Sequence, residues 1–248
     1  MKSFPEARVE GTVRIGLLDS GGRAALAGRV LARAHFELGR DGQLTESYPI
    51  VGRDGHGNAL AGIIAALAPE TRFLDAQVFD RRGVSSPAVV AAGLDWLVRN
   101  DARVVNMSFG LIEDREVLRL ACRRAREAGV VMFAATPARG QRVFPAAYPG
   151  IIRVCADGRC GYRELSVLEG GAADFGACPF PLAQYAYGRV SGGASYAVAH
   201  ATGIAAAWLV ERPDANATEI RCYLSSIASY FTVARTGVDA DQQALARR

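Results

Sequence analysis

Apolar and polar positions fall into blocks along this chain, with short β-branched runs each followed by a longer stretch of small and aliphatic residues at helical spacing. The run TVRIGLLD at 12–19 reads as a buried strand with a polar exit, Asp19-Ser20-Gly21-Gly22. RVLARAHFEL at 29–38 fits helix or strand and stays open; 39–56 is polar and glycine-rich, a loop leading to His56. HGNALAGIIAALA then has a helical pattern stopped by Pro69, and RFLDAQVF at 72–79 is the next strand. SPAVVAAGLDWLVRN opens with serine and proline, the N-cap and N1 pair of a helix. ARVVNMSFG follows as a strand, DREVLRLACRRAREAG as a helix ending at Gly129, VVMFAA as a strand and IIRVCA at 151–156 as another. Segment 157–190, rich in Gly, Pro and Ala, predicts short strands and loops. Helices are expected from Ser195 to about Glu211 and over 214–227, the latter capped by Asp214.

Strand–helix alternation of this kind predicts an α/β fold, a mostly parallel central sheet with helices on both faces. No composition shift or repeat divides the chain, so residues 1–248 are read as one domain. Half the residues are hydrophobic, enough for a sizeable core. The net charge of +4 is spread over scattered arginines, with only short pairs such as Arg81-Arg82 and Arg123-Arg124, which argues against a nucleic-acid surface. The apolar run IAAAWLV at 204–210 is too short to cross a membrane, and MKSFPEARVEG lacks the apolar core of a signal peptide. A cytoplasmic, reduced location is the expectation. The five cysteines form no CxxC pair, and an odd count leaves at least one thiol outside any intrachain disulfide. Asp157-Gly158 reads as a turn that could bring Cys155 and Cys160 close, while Cys122 reads as a buried side chain on a helix.

In sheets of this class, loops at the strand ends gather into one crevice. Asp19 closes the first strand, His56 opens a helix, and Ser195 opens another after Gly192-Gly193-Ala194. A serine hydroxyl needs a base to take its proton, and an imidazole in that role needs a carboxylate on its other nitrogen. Each residue alone could be a cap or a turn former. Together they make a nucleophile, a base and an orienting acid.

The motifs around these residues resemble those of the subtilisin-like serine proteases, the subtilase family. Asp19-Ser20-Gly21 matches the family's Asp-(Ser/Thr)-Gly; His56-Gly57-Asn58, followed by Ala61-Gly62, matches His-Gly-Thr. Gly193-Ala194-Ser195-Tyr196-Ala197, with His200 and Gly203 in register, matches Gly-Thr-Ser-Met-Ala; Asn106-Met107-Ser108-Phe109-Gly110 matches Asn-Met-Ser-x-Gly. The likeness runs from about residue 12 to 227 and implies a three-layer subtilisin-like fold. It implies Ser195 as nucleophile, His56 as general base and then acid, and Asp19 as orienting carboxylate. Ser108, Phe109 and Gly110, with Ala134 and Ala135, would bind an extended peptide as an added strand. His200 would be a buried structural residue. No cofactor or metal is implied: Asp41, Asp54, Glu169 and Asp174 read as dispersed surface acids.

One departure bears on chemistry. Family members carry Ala-Ala-Gly-Asn where this chain has Ala134-Ala135-Thr136-Pro137, so Pro137 replaces the asparagine whose amide serves the oxyanion. Proline has no such donor and no backbone N–H. The Ser195 N–H, with Thr136 or the 138–144 loop as candidate additions, would have to serve. Asn58 and Ala194 replace threonines, Tyr196 replaces methionine, and Ala199 stands at a usual proline. Two readings follow: a serine endopeptidase of narrow specificity acting on a peptide or protein, with hydrolysis and transpeptidation both open, or a catalytically impaired relative that binds a peptide or partner in the inherited cleft. An activating or substrate-presenting protein partner is a further expectation. Labelling by a serine-directed fluorophosphonate separates the two readings.

Overall fold

A computed structural model describes residues 12–21, 28–39, 41–48, 55–80, 82–182 and 192–233. Asp54, part of the 39–56 loop and positions 183–191 lie outside the described residues. The strands are β1 (Arg14–Asp19), β2 (Val30–Leu38), β3 (Leu44–Ser47), β4 (Arg72–Gln77), β5 (Val104–Met107), β6 (Val131–Ala135), β7 (Ile152–Ala156), β8 (Leu165–Glu169), β9 (Phe175–Ala177) and β10 (Tyr230–Val233). The helices are α1 (His56–Leu67), α2 (Pro87–Arg99), α3 (Glu116–Glu127), α4 (Ala194–Glu211) and α5 (Ala217–Ser226). The strands form one sheet in the order β10-β8-β9-β7-β6-β5-β1-β4-β2-β3. Among the described strands, only the β2–β3 and β8–β9 pairs are antiparallel.

The mostly parallel sheet is covered on both faces. Ile15, Leu17, Phe73 and Phe133 pack against α1 and α4, while Leu18, Leu74, Val105 and Met132 pack against α2 and α3. Two glycines let α2 lie close to the sheet: a Cβ on Gly16 would stand 2.9 Å from Leu97, and one on Gly93 would stand 2.8 Å from Leu18. On the other face, a Cβ on Gly203 in α4 would stand 2.9 Å from Leu67 and 3.2 Å from the Ile64 backbone of α1.

Several sequence expectations need adjustment. Residues 29–38, left open, are strand β2, and the 39–56 loop contains strand β3. Every residue of β3 is exposed, so an edge strand of Leu-Thr-Glu-Ser carries no alternation to read. The last helix is capped by Asn216, not Asp214. Asn216 Oδ1 accepts from the Thr218 and Glu219 N–H groups, and Glu219 returns a carboxylate to the Asn216 N–H at 2.7 Å, a capping box. Helix α2 has the expected Ser86 cap, which accepts from Val89 N–H at 3.2 Å. The turn at Asp157 is present, with the Cys160 N–H donating to the Asp157 carbonyl. All five cysteines are free thiols, and burial pushes Cys122 up to about 12.

His200, fully buried on α4, stacks on Tyr162 and faces two carbonyls, Tyr162 O and Phe180 O, each at 3.0 Å from a ring nitrogen. A neutral ring can donate to only one of them. Burial nevertheless holds the imidazole below its ordinary 6.5, outweighing the pull of both carbonyls toward the charged form.

Two outcomes are expected from this packing. Gly203→Ala, which must push α4 off α1, lowers stability by about 1–3 kcal/mol in urea denaturation. For His200, the unfolded chain takes the proton first as pH falls. Its contribution is therefore complete above the unfolded pKa and declines below it. The urea midpoint of the wild type drops between about pH 7.5 and about pH 5.5, and His200→Gln flattens that drop.

Candidate active site

Three adjacent strands, β6, β5 and β1, end at the same edge of the sheet, and α1 and α4 begin there. Asp19 is the last residue of β1 and is almost wholly buried. Its Oδ1 accepts three hydrogen bonds: from Ser20 N–H at 2.8 Å, from the Ser20 hydroxyl at 3.1 Å and from His56 Nδ1 at 2.9 Å. His56 is the first residue of α1, placed there by Gly55 in the left-handed region at φ 64°. The Nδ1–H bond to the carboxylate leaves Nε2 as the proton-accepting nitrogen, with about a third of the imidazole exposed.

The turn after Asp19 and the start of α1 are in direct contact. Gly57 N–H donates to Ser20 Oγ at 3.3 Å, and a Cβ on Gly57 would stand 2.8 Å from the Gly21 carbonyl carbon. Ser20 thus ties the carboxylate to the helix that carries the imidazole. Sequence reasoning gave Ser20 no role beyond its motif.

Ser195 is in the first turn of α4, partly exposed, after an extended Gly193 that offers no side-chain cap. The first N–H groups of α4 are therefore left for another acceptor, and the helix dipole favours negative charge there. Ser195 and Ser108 are joined twice: Ser195 Oγ donates to the Ser108 carbonyl at 3.0 Å, and Ser108 Oγ donates to the Ser195 carbonyl at 3.1 Å. The ring of Tyr196 lies 6.1 Å from that of His56, tilted by 46°, which places the imidazole beside the start of α4.

The residues expected to bind peptide divide. Ser108 is buried, Phe109 is half-buried and packs edge-on to Phe79 at 5.5 Å, and Gly110 is exposed. Ala134 and Ala135 lie within β6, and both methyl groups are buried in the two cores, Ala134 completely. Thr136 is buried and its N–H is held by the Val154 carbonyl at 3.0 Å; Pro137, just past β6, is exposed. Asp174, read as a surface acid, is held by Arg153 and Arg221. Its carboxyl stays below the usual range because those guanidiniums and the Arg153 N–H outweigh the burial that opposes ionisation.

The family model for the subtilases matches residues 11–244. This chain belongs to the subtilase family. A thermostable alkaline protease of Halalkalibacterium halodurans is 31% identical over 192 residues, 72% of this chain and 53% of that relative. Subtilisin DY of Bacillus licheniformis is 29% identical over 241 residues, covering 88% of this chain and 84% of that one. The chain thus spans about half of the first relative and most of the second. Among solved structures, a cold-adapted subtilisin-like serine proteinase matches with TM-score 0.69 at 22% identity, over 95% of this chain and 89% of that one. Sphericase matches with TM-score 0.67 at 21% identity, over 87% and 83%. These confirm the three-layer fold expected from the sequence.

In this subtilase, Gly57→Ala forces the Asp19 turn and α1 apart. The expected result is a loss of about 1–3 kcal/mol in stability. By NMR, the wild type is expected to show a low-field Nδ1 proton signal from the Asp19–His56 hydrogen bond and the variant to lack it.

Proposed function

We propose that this chain is a serine endopeptidase of narrow specificity that cleaves peptide or protein through an acyl-enzyme. The observation that carries the reading is the Asp19–His56 hydrogen bond at 2.9 Å beside a serine at an uncapped helix start. Ser195 Oγ attacks the scissile carbonyl while its proton passes to His56 Nε2. Asp19, held by Ser20, orients the ring and stabilises the imidazolium. The imidazolium then gives the proton to the leaving amine, and water or another amine releases the acyl group. The hydroxyl proton rests on the Ser108 carbonyl, so this transfer begins with its redirection toward His56. An extended substrate lying along Ser108–Gly110 would present its own N–H to that carbonyl and take the hydroxyl's place.

The oxyanion is served by the Ser195 N–H and the α4 dipole, with the Thr136 hydroxyl as a candidate second donor. Pro137 contributes none. Losing one such donor costs about 100–1000-fold in turnover, a magnitude established on a subtilisin itself. Slow chemistry on a well-bound substrate is the consequence. Pro137 also supports a second reading, a cleft that binds a peptide or partner protein without cutting it.

Intact-mass analysis after incubation with a fluorophosphonate decides between them. A single adduct on the wild type, absent from Ser195→Ala, is expected; a folded wild type with no adduct beside a reactive control protease would sink the enzyme reading. Pro137→Asn restores an amide donor and raises kcat on a peptide ester by roughly 10-fold or more, with KM little changed.

A further inference from the structure

Behind Ser195 runs a buried file of hydrogen bonds outside the acid–base set. Thr202, on the inward face of α4, donates its hydroxyl to Asn106 Oδ1 at 3.1 Å. Asn106, on β5, donates Nδ2 to Ser108 Oγ at 2.9 Å. Ser108 Oγ in turn spends its one proton on the Ser195 carbonyl at 3.1 Å. Thr202 and Asn106 are fully buried, and Ser108 is nearly so. Every donor in the file points the same way, from the third turn of α4, over to the end of β5, and back to the first turn.

We infer that Thr202 is a positioning residue for the nucleophile: by satisfying Asn106 Oδ1 it keeps the amide turned toward Ser108, and so keeps the Ser108 hydroxyl on the Ser195 carbonyl. The alternatives open to the amide give this force. A buried carbonyl oxygen without a donor is costly, and an asparagine can exchange its two ends by turning over. With Thr202 replaced by valine, Oδ1 has no donor and the amide is no longer pinned, so it also visits the turned-over state in which Oδ1 takes the Ser108 proton. The Ser195 carbonyl then loses its anchor outside the helix. That carbonyl belongs to the turn whose N–H groups face the cleft, so their aim depends on it. Where Pro137 offers no donor, that aim matters more. The kinetic part of this inference rests on the acyl-transfer reading; the positional part does not.

The test uses the whole chain with Thr202→Val, Thr202→Ser and Ser108→Ala, read in two ways. Amide hydrogen exchange at 197–199, compared with β1 amides, follows the first turn directly. Thr202→Val speeds it about tenfold and Thr202→Ser restores it to within about threefold. On a peptide ester, kcat falls about tenfold in Thr202→Val with KM within about twofold, and serine restores it. Ser108→Ala, which cuts the file at its far end, reproduces the exchange effect and carries the test if the valine variant does not fold. Unchanged exchange in a folded Thr202→Val overturns the inference, whatever Ser108→Ala shows, and so does unchanged exchange in Ser108→Ala. So does a kcat loss that serine fails to restore or that follows only the fall in Tm. A wild type that takes no fluorophosphonate at Ser195 defeats the acyl-transfer reading instead, and exchange alone then decides the position of the turn.

Discussion

Helices α1 and α4 lie side by side on one face of the sheet and start at the same end, one with His56 and the other next to Ser195. How closely they approach is set where Gly203 meets Leu67 and Ile64, with no room for a methyl group. The alanines that run through α4 answer the same demand, because this helix touches α1 as well as β5, β6, β7 and β9. A helix enclosed on so many sides has no polar face to show, and its small side chains are a packing requirement. The separation of imidazole from hydroxyl is inherited from that contact. Asp19 joins the pair through a second close approach, Gly57 against Gly21.

Where each part of this arrangement was legible follows from the kind of signal it leaves. Strands β1, β4, β5, β6 and β7 lie largely buried between the helical layers and read as short, mainly apolar runs, with Asp75 and Gln77 as polar interruptions in β4 and Arg153 in β7. Helices α1 to α4 show helical spacing or an explicit Ser-Pro start. β3 and β10 were silent because edge strands lie half outside the core and need no apolar alternation. Asn216 was passed over for Asp214 because both are good caps; the deciding partner is Glu219, three residues on. At the site, Asp19, His56 and Ser195 announced themselves at element boundaries within short motifs. Thr202 left no trace, since one threonine in an alanine-rich helix looks like filler until its partner on β5 is seen.

The buried polar groups here share a logic. Asp19, Ser20, Asn106, Ser108 and Thr202 all sit where water is scarce, and their hydrogen bonds run between elements that meet at the strand ends. In a low-dielectric interior such bonds are directional and costly to break, so they fix orientation more than they add stability. His200 differs from them, a buried ring between two carbonyls that can serve only one when neutral.

The order of the chain has a temporal meaning. The carboxylate closes the first strand and the imidazole begins the first helix, yet β1 has as neighbours β4 and β5, whose sequence comes some 60 to 90 residues later. Ser195 arrives on the fourth described helix, after nine of the ten described strands. A chain emerging from its N-terminus therefore carries Asp19 and His56 long before it carries Ser195. Pairings this distant in sequence are slow to close. Whatever chemistry the cleft performs starts only when α4 docks beside α1.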